Sequence, residues 1–189
     1  MKPFNILITG VGGQGTVLAS RLIAQTAIEL GALAKTSETI GMAQRGGCVT
    51  SHVRIGEDDI SPLIPLGKAD LLLAFEPAEA VRNLKYLKKG GSMVVNTRAI
   101  LPVTCAMGTG YEPEQMLEYL KKQKDRKVIF ADAGAICEEL GSFKVINTVM
   151  LGIALKNDLL PFTKEDLEQT MRKFLPERFQ EINRKAVNL

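Results

Sequence analysis

Apolar runs of strand length alternating with helical patterns, a glycine-rich turn after the first run, and polar residues closing the later runs predict an α/β fold. The expected form is a three-layer sandwich: a mostly parallel sheet with helices on both faces, a Rossmann-like first βα unit and a helical C-terminus. At 189 residues and 46% hydrophobic side chains, the chain is long enough to bury most of its surface around one core. No repeat or low-complexity linker divides it, so residues 1–189 are expected to form a single domain.

The elements follow in order. "FNILITG" is the first strand, and from Gly15 the apolar positions Val17, Leu18, Leu22, Ile23, Ala27 and Leu30 recur at three and four, predicting a helix that stops at Gly31. "ALAKTSETIG" makes a poor apolar strand. "CVTSHVRIG" alternates strictly, with Val49, Val53 and Ile55 on one face and Thr50, His52 and Arg54 on the other, so it reads as a half-buried strand near an edge. "ADLLLAFEP" is a continuous apolar run ended by Glu76 and Pro77, the pattern of a central parallel strand, and a helix is expected over 78–88. "GGSMVVNT" and "KVIFADA" read the same way, closing on Asn96 and Asp132. Open α/β sheets place ligands at such endings, although each residue could equally cap the next helix. Beyond residue 140 three helices are expected, the second opened by a Thr cap in "TKEDLEQTMRKFL". The run "KKQKDRK" is a solvated helix end.

Charge and cysteine content exclude several classes. The net charge of +3 arises from 24 basic and 21 acidic residues spread along the chain, which leaves no nucleic-acid footprint. The N-terminus lacks the apolar core of a secretion signal, and no stretch approaches a membrane span, so a cytoplasmic protein is expected, with no nucleic-acid or membrane partner. Cys48, Cys105 and Cys137 are widely spaced and accompanied by one histidine, His52, a pattern unlike the usual zinc or iron-sulfur signatures. Reduced, partly buried thiols and no metal site are expected, with His52 a structural residue.

Two loops carry the candidate chemistry. Gly10, Gly12 and Gly15 satisfy G-x-G-x-x-G, which brings backbone close to a phosphate at a helix N-terminus. A dinucleotide fold also needs an acid about 20 residues on, at the end of a second strand. Glu38 stands near that distance, but its surroundings are a poor strand, so the fingerprint is incomplete. The bland reading is a turn needed only for packing. In the second loop, residues 37–49, Gly41, Gly46 and Gly47 surround Arg45, whose guanidinium can grip a carboxylate or phosphate, with Met42 a flexible apolar contact beside it. A surface turn with a structural salt bridge is the alternative. Neither loop supplies a nucleophile with its base, and the catalytic residues stay unassigned.

Taken together, "GVGGQGTVLAS", "SETIGMAQRGGCVTSHVRIG", "SPLIPLGKADLLLAFEPAEAVR", "VVNT" and "NTVMLG" resemble the gamma-type domain of the 2-oxoacid:ferredoxin oxidoreductases. They are most similar to the small beta-subunit type of the indolepyruvate branch, over roughly residues 4–160. The resemblance implies oxidative decarboxylation of an aryl pyruvate such as indolepyruvate, or another 2-oxoacid, to an acyl-coenzyme A with reduction of ferredoxin. Thiamine diphosphate and iron-sulfur clusters are implied in a larger partner subunit, because this chain has neither a G-D-G thiamine motif nor clustered cysteines; alone it is expected to be inactive. Gly12, Gly13, Gln14 and Gly15 match the family's GGQG, and Gly41, Met42, Arg45, Gly46 and Gly47 its GMAQRGG. The resemblance thus makes both loops candidates for coenzyme A, substrate or subunit contact. Alternatives are a free-standing nucleotide-binding or sensing module using GVGGQG, and an autonomous NAD-dependent dehydrogenase, which the length disfavours. A homodimer of the isolated chain stays open.

Overall fold

Phe4–Val11 forms strand β1, whose Ile6, Leu7 and Ile8 are wholly buried, as a strand covered on both faces requires. The structure, a computed structural model, describes residues 1–41, 46–56, 61–101 and 110–189. The other strands among these residues are β2 (Ala34–Ile40), β3 (Cys48–Ile55), β4 (Ala69–Ala74), β5 (Leu87–Asn96) and β6 (Lys127–Ala131), joined in the order β2-β3-β1-β4-β5-β6. β1, β4, β5 and β6 are mutually parallel. β3 runs antiparallel to both β1 and β2.

Side-chain alternation splits the core between the two faces of the sheet. Ile6, Ile8, Leu71, Leu73 and Val94 face a thick layer built from α1 (Thr16–Glu29), α4 (Ala133–Glu139), α5 (Ile146–Lys156), α6 (Lys164–Phe174) and α7 (Glu177–Val187). Leu7, Leu72, Met93 and Val95 face α2 (Pro77–Asn83) and α3 (Pro113–Lys121). Residues 146–154 of α5 are buried all round, which suits a helix enclosed between the sheet side and α7. The Thr cap predicted for α6 forms a full capping box: Thr163 Oγ1 accepts from Asp166 N–H, and Asp166 Oδ2 accepts from Thr163 N–H, a motif worth about 1 kcal/mol. Among the described residues no helix is long and apolar enough to cross a membrane.

The α/β layering matches the sequence expectation, and four local readings change. "AKTSETI" does form a strand, because an edge position needs little apolar surface and its backbone pairs with β3 alone. β3 lies near the edge as expected, one strand in, but both its faces contribute buried residues, including Ser51 and His52, so it is more than half-buried. The helix expected over 78–88 ends at Asn83; a 3-10 turn over Leu84–Tyr86 follows, and Leu87 already pairs with Ala69. β6 is an edge strand, half-buried rather than central.

Candidate functional site

The chain leaves β1 toward the thick helical layer and leaves β4 toward the opposite one. This change of direction between neighbouring parallel strands opens a crevice at their carboxyl ends, where open α/β sheets bind ligands. A cleft of about 380 Å3 lies there, lined by Gly12, Gly13, Gln14, Asn96, Arg98 and Phe143, among others.

The two glycine loops meet at this edge. Gly12 N–H donates to Gly47 O (2.8 Å) and Gly46 N–H donates to Gly12 O (3.5 Å), while Gly41 N–H donates to Cys48 O (3.0 Å) and closes the base of the second loop. Thus Gly12, Gly13, Gln14 and Gly15 come together with Gly46 and Gly47, with Gly41 at the strand end. Met42 and Arg45 lie outside the described residues.

Within the first loop the residues divide by task. Gln14 is buried and turned inward: its Oε1 accepts from Val11 N–H (2.8 Å) and its Nε2 donates to Phe75 O (2.8 Å). Gly10 makes room for this side chain, since a Cβ there would sit 2.6 Å from Gln14 Oε1. Gly15 holds the left-handed conformation, φ 75°, that turns the chain into α1 against Asn147, and no side chain caps that helix. The carbonyl of Phe75 also accepts from Asn96 Nδ2 (3.0 Å), and Asn96 Oδ1 accepts from Ala133 N–H at the start of α4 (3.1 Å). Two buried amides, on the loops after β1 and at the end of β5, therefore converge on one carbonyl after β4. They form a floor whose polar bonds are internal.

Arg98 also lines the wall of the cleft. Its Nη1 donates to Glu138 Oε1 (2.6 Å), its guanidinium lies over the Phe143 ring (5.0 Å), and the Glu138 contact is the main cause raising its pKa further. Sequence reasoning missed this residue because it sits two positions beyond Asn96 in a stretch without a motif.

The other strand endings act as caps. Glu76 accepts from Glu79 N–H (3.0 Å) at the start of α2, and Asp132 accepts from Ala135 N–H (2.9 Å) at the start of α4. Glu76 and Glu79 are both buried, with Tyr111 donating to Glu76 and Arg82 to Glu79. Burial raises the Glu79 pKa, with Arg82 opposing. His52 is buried in the same packing role: its Nδ1 accepts from Ile64 N–H (3.1 Å), its ring meets Tyr86 edge-on, and burial lowers its pKa. The Cys137 thiol is buried and pushed up to about 11, so it stays protonated at neutral pH and is no nucleophile. Cys48 is an exposed free thiol, and Cys105 lies outside the described residues. Among the described residues no group of three or more His, Cys, Asp or Glu is arranged to hold a metal ion.

The dinucleotide reading loses its second element. Glu38 sits on an edge strand separated from β1 by β3, and its Oε1 accepts from Ser20 Oγ (3.2 Å) on α1. An acid placed there faces the α1 helix rather than a ribose beside β1.

Comparison with known proteins agrees with the α/β fold. Residues 5–189 match the family described as pyruvate ferredoxin/flavodoxin oxidoreductase, so the similarity runs past residue 160 and takes in the C-terminal helices. The chain is 41% identical to the indolepyruvate oxidoreductase subunit IorB of Archaeoglobus fulgidus, over 98% of this chain and 92% of that one. It is 37% identical to the protein of the same name from Pyrococcus horikoshii, over 100% of this chain and 95% of that one. The solved gamma subunit of a keto/oxoacid ferredoxin oxidoreductase from Geobacter sulfurreducens superposes with a TM-score of 0.69 at 26% identity, covering 98% of this chain and 94% of that one.

Proposed function

The chain belongs to the pyruvate ferredoxin/flavodoxin oxidoreductase family, and from that premise we propose how it serves as a subunit of a 2-oxoacid:ferredoxin oxidoreductase. The overall reaction is oxidative decarboxylation of a 2-oxoacid to its acyl-coenzyme A, with the electrons passed to ferredoxin. Indolepyruvate, or another aryl pyruvate, is the substrate favoured by 37–41% identity with indolepyruvate oxidoreductase subunits along nearly their whole length. Residues 1–189 act as one gamma-type domain in the cytoplasm, within a complex whose larger subunit holds thiamine diphosphate and the iron-sulfur clusters. The described residues do not fit an iron-sulfur cluster: Cys48 and Cys137 are the free thiols among them, and no group of three or more His, Cys, Asp or Glu is arranged to hold a metal ion.

One observation carries the role assigned to this chain. The Gly12–Gly47 hydrogen bond joins the two glycine loops at the carboxyl edge of the sheet, beside the cleft. In this reading Gly10 and Gln14 shape the floor, and Gly12, Gly13, Gly15, Gly41, Met42, Arg45, Gly46 and Gly47 belong to the loops that border a cleft completed by the partner, where Arg45 and backbone N–H groups receive an anion. That anion is a coenzyme A phosphate or the oxoacid carboxylate. The chain binds and orients; bond-making belongs to the partner.

Arg45→Ala tests this in the reconstituted complex. An increase of about tenfold in the Michaelis constant for coenzyme A or the oxoacid is expected, the loss of one charge-assisted contact. Unchanged constants for both overturn the role of the loop. Tight binding of NAD or FAD by the isolated chain would instead favour a free-standing nucleotide module.

A further inference from the structure

We infer that Arg98 is an anion-contacting residue of this cleft, held by Glu138 at rest and transferred to a ligand oxyanion, a carboxylate or phosphate, when the cleft fills. The inference rests on the reading of the cleft as an anion site, and assigns that site a cation outside both glycine loops.

Several observations lead to it. Among the described residues lining the cleft, Arg98 alone carries a cationic side chain. Its base is fixed and its head is free to exchange. Arg98 N–H donates to the buried Asn96 Oδ1 (3.3 Å), so the backbone is tied into the cleft floor. The guanidinium side chain is 48% exposed and its partner Glu138 56% exposed, and an ion pair so exposed to water holds its members weakly.

The path of the side chain is also built. A Cβ at Gly134, in the first turn of α4, would fall 2.3 Å from Arg98 Cδ, so that glycine leaves the channel in which the arginine stem lies. Phe143 supplies an aromatic surface 5.0 Å from the guanidinium carbon, which supports the flat face of the group while its N–H edge stays available for a second acceptor. Glu138 uses one of five donors, at Nη1. The carboxamides of Gln14 and Asn96 are bonded internally, so charge recognition in the described part of the cleft falls to Arg98.

The assembled complex decides the matter with two substitutions of opposite sign. Arg98→Ala is expected to raise the Michaelis constant for coenzyme A or for the 2-oxoacid about tenfold with little change in kcat, and Arg98→Lys to recover part of it. Glu138→Gln frees the guanidinium and is expected to lower that same constant about twofold to threefold. A purely structural pair would instead change thermal stability alike in both variants and leave the Michaelis constants alone. Which constant moves identifies the source of the oxyanion. Constants unchanged for both co-substrates in an active Arg98→Ala complex overturn the inference and leave the subunit assignment standing. If the wild-type complex fails to reduce ferredoxin, the subunit role falls instead, and titration of the full chain with inorganic pyrophosphate then settles Arg98. Weaker binding by Arg98→Ala supports the inference; equal binding, or none by the wild type, overturns it.

Discussion

The floor of the cleft and its wall use similar polar groups to opposite ends. On the floor, Gln14 and Asn96 are buried and spend their hydrogen bonds on Val11, Phe75 and Ala133, locking three strand ends to one another. On the wall, the side chains of Arg98 and Glu138 stand half in water, paired with each other and, for Arg98, laid over the Phe143 ring. A buried bond is expensive to lose because its partner is left dry and unpaired, whereas an exposed ion pair exchanges with water at little cost. The contrast separates residues that shape the cleft from residues able to respond to what enters it, and it places Gln14 in the first group.

The sharpest way to break this contrast is Gln14→Leu. It orphans the Val11 N–H and removes one donor from the Phe75 carbonyl, so a loss of about 3 kcal/mol is expected in denaturant unfolding. A loss below about 1 kcal/mol would mean that the floor is not held by this side chain.

His52 gives a smaller and cleaner effect, because it is the sole histidine. Its Nδ1 must stay unprotonated to accept from Ile64 N–H, and burial lowers its pKa below the ordinary 6.5. The unfolded chain therefore binds the proton more readily. Stability from this group is complete above pH 6.5 and is lost as pH falls through the window down to the lowered value. A proton NMR titration should place the folded midpoint below 6.5; a midpoint at or above it contradicts the assignment.

The smallest effect is expected on the wall. Glu138→Gln should shift stability by about 0.5 kcal/mol or less, the scale of an exposed ion pair. A loss comparable to that of Gln14→Leu would erase the distinction between floor and wall.

Much of this fold was legible in the residues. Apolar runs marked β1, β4 and β5 because strands buried on both faces need continuous hydrophobicity, and the spacing from Val17 to Leu30 marked α1. β2 was obscured because an edge strand such as "AKTSETI" is held by backbone pairing to β3, which leaves little trace in its side chains. The glycine loops were legible as a pair of motifs, yet their meeting through Gly12 and Gly47 depends on strand order. The inward turn of Gln14 depends on a carbonyl 61 positions away, and Arg98 on an acid 40 positions away. Contacts at such separations carry no local pattern.

The most direct measurement is ferredoxin reduction by the purified larger subunit, proposed to bear thiamine diphosphate, as this chain is added with indolepyruvate and coenzyme A supplied. No turnover is expected from either chain alone, and the rate should rise with added chain until it saturates at a fixed ratio. Full activity of the larger subunit without this chain would contradict the subunit role.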